Sequence, residues 1–156
     1  KVSEEQVKAE KKRIFEDLLQ KKGTENLYDI KRELRETMDQ HAGVFRTGEE
    51  LSVGLKKVKV LKERYKNIFI ADKGTVYNTN LMNAMEIENL IDLAEMLVTS
   101  ALGREESRCG HARYDFPNRD DDKCLKHTLV SYSKEGPKLS YKPVAITKWK
   151  PVERKY

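Results

Sequence analysis

L-M-N-A-M-E-I-E-N-L-I-D-L-A-E-M-L-V-T-S-A-L-G-R, Leu81 to Arg104, has the composition of a deeply packed helix. Leu81, Ala84, Met85, Ile87, Leu90, Ile91, Leu93, Ala94, Met96, Leu97, Val98, Ala101 and Leu102 fall on most faces of a 3.6-residue period. Asn78-Thr79-Asn80 supplies caps before it. The pattern predicts that this helix is the most buried of the chain. Other helices must then cover it, and the residues before it provide them.

Glu25 to His41 carries Leu27, Ile30, Leu34, Met38 and His41 at spacings of three and four, and Ala42-Gly43 ends that helix. Another helix starts at Thr47, where Glu50 three residues on makes a capping-box spacing. Leu51, Leu55, Val58, Leu61 and Tyr65 form its apolar stripe. Ile68-Phe69-Ile70 is a short extended piece and Asp72-Lys73-Gly74 a turn. Further upstream, Ser3 to about Lys22 reads as a charged helix with a narrow stripe of Val7, Ile14, Phe15, Leu18 and Leu19, stopped by Gly23. Short connections favour antiparallel neighbours.

Downstream, His127 to Tyr132 and Leu139 to Ile146 can pair across Ser133-Lys134-Glu135-Gly136-Pro137, and Pro143 marks an edge. The expected fold is mainly α: an antiparallel three-helix bundle with an extra N-terminal charged helix, followed by a small irregular tail with a β-hairpin. The division falls at 1–105 for the helices (lead-in helix about 3–22, bundle about 25–104) and 106–156 for the tail.

Between helix and hairpin lies R-E-E-S-R-C-G-H-A-R-Y-D-F-P-N-R-D-D-D-K-C-L-K-H-T-L, Arg104 to Leu129. It has neither helical nor strand periodicity. Ion pairs and hydrogen bonds must hold it, and these are expensive to leave unmade. It contains both cysteines and two of the three histidines. Cys109-x-His111 and Cys124-x-x-His127 offer a zinc ligand list, although the first pair is tighter than usual. A Cys109–Cys124 disulfide closing a short loop is a second possibility, and two free thiols beside hydrogen-bonded histidines a third. Asp120-Asp121-Asp122 could suggest a carboxylate metal site, but consecutive carboxylates cannot all face one ion and a solvated turn is the better reading.

A length of 156 residues suits one domain, or a domain and a tail. The net charge of +5 is a mild excess with both signs interspersed, which permits an anionic partner without arguing for one. The basic, aromatic stretches Lys148-Trp149-Lys150 and Arg154-Lys155-Tyr156 resemble a nucleic-acid contact in composition only. A stand-alone helical module contacting nucleic acid through that tail is the alternative function. No apolar run approaches the roughly 18 residues that span a bilayer. There is no G-x-G-x-x-G, P-loop, G-x-S-x-G or H-E-x-x-H. The chain opens without Met, as a processed product or fragment would, and two cysteines among many lysines suit a reducing compartment.

The pattern R-x-E-S-R-x-x-H-x-R-x-D-x-P-x-R-D-D, then K-H-T-L, resembles the C-terminal part of the flavoprotein subunit of succinate dehydrogenase and fumarate reductase. Gly43 to Thr47, Asn78-Thr79-x-Leu81, Leu90-x-Asp92-Leu93-Ala94-Glu95, Ser100-Ala101-Leu102, and Leu139-x-Tyr141-Lys142-Pro143-Val144-x-Ile146-Thr147 with Pro151, Arg154 and Tyr156 extend the likeness over about residues 26 to 156. The resemblance implies a three-helix bundle followed by a small tail, with helix one a lead-in whose stripe packs on something absent here. It implies that FAD, the substrate-capping domain and the catalytic residues lie upstream, so no catalytic, cofactor-binding or metal residue is assigned in this chain. It implies docking and tail-bracing roles for Arg104, Arg108, His111, Arg113, Asp115, Lys126 and His127. The implied partners are the FAD-binding domain of the same polypeptide and an iron–sulfur subunit, with no direct membrane insertion and no nucleic acid. The implied location is cytoplasmic, peripheral to the inner face of the membrane through partner subunits. The chain departs from that family at Cys109, where Gly is usual with Ala following, and at Cys124, where Trp is frequent.

Overall fold

The computed structural model describes residues 2–133 and 135–152. Helix α1 (Glu4–Lys12) begins at a capping box in which Ser3 and Gln6 bond reciprocally. It runs into a π-helical segment, Arg13–Leu18, where the Leu19 amide donates to the Ile14 carbonyl at 2.9 Å. The wider turn brings Leu18 and Leu19 together into the core. Nothing in α1 itself is buried, and Val7 and Phe15 of the expected stripe stand exposed. Gly23 is needed where it stands: a Cβ there would lie 1.8 Å from the Asn67 carbonyl oxygen. Its amide donates to the Ile68 carbonyl, tying the lead-in to the extended Ile68–Ile70 piece.

Helix α2 (Leu27–His41) is capped by Asn26 and buries Leu27, Ile30, Leu34 and Thr37. Two-residue strand β1 (Phe45–Arg46) precedes α3 (Gly48–Tyr65), whose cap Thr47 accepts from the Glu50 amide. Helix α3 buries Leu51, Gly54, Val58, Leu61 and Tyr65. Their alternating steps of three and four make one straight seam against the other two helices. Helix α4 (Thr79–Leu102), capped by Asn78, packs mainly on α3, which itself packs on α2. The bundle core is therefore one layer of side chains from α2, α3, α4 and the end of the lead-in.

The expectation of burial on most faces of α4 needs correction. Leu81, Ala84, Ile87, Ile91, Ala94, Val98 and Ala101 are buried, while Met82, Leu90, Leu93 and Leu97 are exposed. The described residues supply cover for one side of a helix that is apolar on two.

After α4, β2 (Ala112–Arg113) pairs in parallel with β1, and β3 (Lys126–Ser131) pairs antiparallel with β4 (Lys138–Pro143). In that hairpin Lys126 faces Pro143 and Ser131 faces Lys138. Lys134 in its turn, and Arg154, Lys155 and Tyr156 of the basic end, lie outside the described residues. Among the described residues no helix is long and apolar enough to cross a membrane.

Candidate functional site

The residues singled out in the irregular stretch converge at the end of the bundle where α4 finishes. The last carbonyls of an α-helix lack intrahelical donors and carry the negative end of its dipole. Here arginine supplies the donors. Arg113, 3% exposed, reaches the carbonyls of Ala101, Leu102 and Arg104 with one guanidinium nitrogen at 3.1, 3.4 and 3.2 Å. Its other edge grips Asp115 bidentately, with both bonds 2.7 Å. Asp115 in turn accepts from the Gly48 amide at 2.8 Å, the first residue of α3. One ion pair thus joins the negative end of α4 to the positive end of α3. The hydrogen bond and charge of Arg113 hold the Asp115 carboxyl well below the usual carboxylate range.

Arg104 ties the same helix end to the hairpin. Its guanidinium donates to the carbonyls of Cys124 (2.7 Å) and Lys126 (3.2 Å) and to Thr128 Oγ1 (3.0 Å). It also pairs with Glu106 at 2.8 Å. Glu106 is fully buried and receives Arg108 on both oxygens and the Asp120 amide at 2.9 Å. Burial alone would raise its carboxyl; the bonds from Arg108 and the Asp120 amide and the charges of Arg108 and Arg104 outweigh that and lower it. Arg108 reaches on to Asp121 at 2.7 Å, and Asp121 to Arg119 at 2.7 Å.

His111 sits between backbone and arginine. Its Nε2 lies 3.0 Å from the Arg104 carbonyl, which can only accept. Its Nδ1 lies 2.9 Å from an Arg46 nitrogen, which can only donate. These two partners fix the neutral imidazole with its proton on Nε2. Burial lowers its pKa, and the nearby charges of Arg46, Arg113 and Arg104 push the same way.

The remaining two residues contribute no side chain to this cluster. Lys126 gives its backbone carbonyl to Arg104, while its ammonium rests over the Tyr141 ring at 4.0 Å. His127 is exposed on the hairpin. Four potential zinc ligands are therefore not assembled: both nitrogens of His111 are engaged, Cys109 is exposed and Cys124 is buried. Among the described residues no group of three or more His, Cys, Asp or Glu could hold a metal ion, and both cysteines are free thiols.

Sequence reasoning missed Glu106, the anionic centre of the cluster. Its signal was the alternation Arg104-x-Glu106-x-Arg108, a carboxylate between two cations in a segment with no periodicity. It also missed the backbone partners, which leave no trace in residue identity.

A family described as fumarate reductase flavoprotein C-term matches residues 31–156. The fumarate reductase flavoprotein subunit of Mycobacterium tuberculosis is 41% identical over 135 residues, covering 86% of this chain and 23% of the relative. The succinate dehydrogenase flavoprotein subunit of Rickettsia bellii is 38% identical over 134 residues, 85% of this chain and 22% of its own length. A quinol fumarate reductase FrdA variant of E. coli superposes with a TM-score of 0.90 at 32% identity, covering 98% of this chain and 27% of that one. The chain thus spans about a quarter of the length of these relatives. The match of fold, order of elements and sequence over most of its residues shows that the chain belongs to the C-terminal domain family of succinate dehydrogenase and fumarate reductase flavoprotein subunits.

Proposed function

We propose that this domain braces and docks onto the flavin-binding part of a longer polypeptide that interconverts succinate and fumarate. Electrons pass in that reading from FAD to an iron–sulfur subunit, and the assembly sits at the membrane through other subunits. The observation that carries the bracing role is the closed network around Glu106 and Arg113. Its cations meet carboxylates, helix-end carbonyls or tail carbonyls, so its chemistry is mechanical: it fixes the tail to the bundle. Docking is supported by what surrounds that network. Phe45 and Tyr114 stack at 5.4 Å on the adjoining β1–β2 pair while 63% and 69% exposed, an aromatic surface of the kind that anchors interfaces.

The chain carries no glycine-rich strand-to-helix turn that would cradle a dinucleotide, so the flavin site belongs to the rest of such a polypeptide. No flavin contact is assigned to any residue here. The test is to produce this chain together with the remaining polypeptide from the same source and assay FAD retention and succinate–dye turnover. Binding with raised FAD retention and turnover upholds the reading. A folded, monomeric chain that ignores the flavin part, yet binds nucleic acid with a steep salt dependence, overturns it.

A further inference from the structure

The face of α4 turned away from α3 is apolar and open. Leu90, Leu93 and Leu97, at steps of three and four, are 43%, 59% and 45% exposed. With Leu34 and Met38 of α2 they floor a groove of about 560 Å³ running between the two helices. Lys31, Arg32 and Arg35 line its other wall. Lys31 is held only by the neutral Asn83 at 3.0 Å, and Arg35 has no ion pair among the described residues. An apolar floor with anchors at helical spacing is the receptor half of helix-in-groove recognition. Contiguous exposed leucines of this kind mark an interaction surface.

We propose that this groove seats an amphipathic helix with an acidic flank, supplied by the part of the same polypeptide outside these 156 residues. This rests on the reading that the chain is one domain of a longer flavoprotein, and it names the face that docks. The relatives carry roughly three quarters of their length beyond the matched segment, since this chain covers 23% of the M. tuberculosis subunit. A tethered helix meets the groove at a high effective concentration, so modest apolar anchoring suffices. Charge selects the occupant: Arg32 already pairs with Asp29 at 2.8 Å, which leaves Lys31 and Arg35 on the wall, without a carboxylate partner among the described residues, to pair with Asp or Glu on the incoming helix. A second copy of this chain is disfavoured for the same reason. A two-fold contact across the groove would set Lys31, Arg32 and Arg35 against their own counterparts.

The test compares the 156-residue chain with the full-length polypeptide by carbene footprinting and zero-length carbodiimide cross-linking, both read by mass spectrometry. The expected result is several-fold lower labelling of Leu90, Leu93 and Leu97 in the full-length protein. A cross-link should join Lys31 to an Asp or Glu outside the present chain. L93E should restore labelling at Leu90 and Leu97, and L93M should not. Equal labelling in both proteins overturns the proposal. So does concentration-dependent protection of the isolated chain at dimer mass, or cross-linking only to a separate subunit. Flavin content and succinate–dye turnover of the same preparation are scored separately. An active, flavin-loaded polypeptide with an unprotected groove overturns the groove assignment alone. A protected groove in a flavin-free polypeptide upholds the assignment and overturns the flavoprotein reading.

Discussion

Cys109 holds a backbone φ of 53°, in the left-handed region that L side chains avoid. It is the first central residue of a tight turn in which Arg108 and His111 exchange both backbone bonds, at 2.8 and 3.0 Å. A positive φ at that first position suits glycine. Here glycine stands one residue late: Gly110 has no positive φ, and a Cβ added to it would meet nothing within 4 Å. The double variant C109G/G110A is therefore expected to stabilise the protein by about 1 kcal/mol, measured by urea unfolding. An unchanged or lower midpoint would sink that account of the turn. Removing charge from Glu106 should act the other way. E106Q leaves Arg104 and Arg108 around a buried neutral amide and is expected to cost about 3 kcal/mol. A loss below about 1 kcal/mol, the size of an ordinary hydrogen bond, would mean the pair carries little.

Among the elements, the helices were legible because each has an apolar stripe of the right period and a recognisable cap. Asn78 and Thr47 accept the amide bonds their positions suggest, and Ser3 accepts one as well. The π turn at Arg13–Leu18 was not legible, since no residue type encodes it; the packing of Leu18 and Leu19 side by side selects it. Nor could composition separate the two apolar faces of α4. A leucine covered by its own domain and one awaiting another domain look alike in sequence, so composition alone places Leu93 with the buried residues although it is exposed. The site was half legible: Arg104, Arg108, His111, Arg113 and Asp115 do share one end of the bundle, but their backbone acceptors depend on where α4 stops. The α2–α3 contact gives a prediction at this scale. A Cβ on Gly54 would come within 2.8 Å of the His41 Cβ. Alanine normally favours a helix interior by about 1 kcal/mol over glycine, yet here G54A is expected to destabilise by about 1–3 kcal/mol through overpacking. A rise in Tm for G54A would show that α2 and α3 can separate at no cost.

Over the whole molecule two kinds of cohesion meet. The bundle is held by buried Leu, Ile and Val; in the irregular stretch from Glu106 to Leu125 the buried residues are Glu106, Arg113 and Cys124. The tail therefore depends on ionisation as the bundle does not. Glu106, Asp115 and Asp121 all titrate below their ordinary ranges because of their arginine partners. A carboxylate with a depressed folded pKa contributes stability that is present above its unfolded pKa, about 4, and is lost as pH falls toward the folded value. His111 adds an earlier loss. With its folded pKa below the unfolded value, the unfolded chain takes up a proton as pH drops through about 6.5 while the folded imidazole, whose Nδ1 must stay bare to accept from Arg46, does not, and stability falls. Acid should thus release the tail before the bundle. Native-state hydrogen exchange between pH 7 and about pH 2.5, corrected for intrinsic rates, is the measurement. Amides of Ser107, Arg113, Tyr114 and Cys124 are expected to lose protection while α3 and α4 keep theirs. H111Q, which retains a side-chain donor but cannot take up the proton, should remove the portion of that loss lying between pH 7 and pH 5. Simultaneous loss of protection in tail and bundle would mean that the Arg113–Asp115 link fuses them into one cooperative unit, with the ion network as much a part of the core as the leucines.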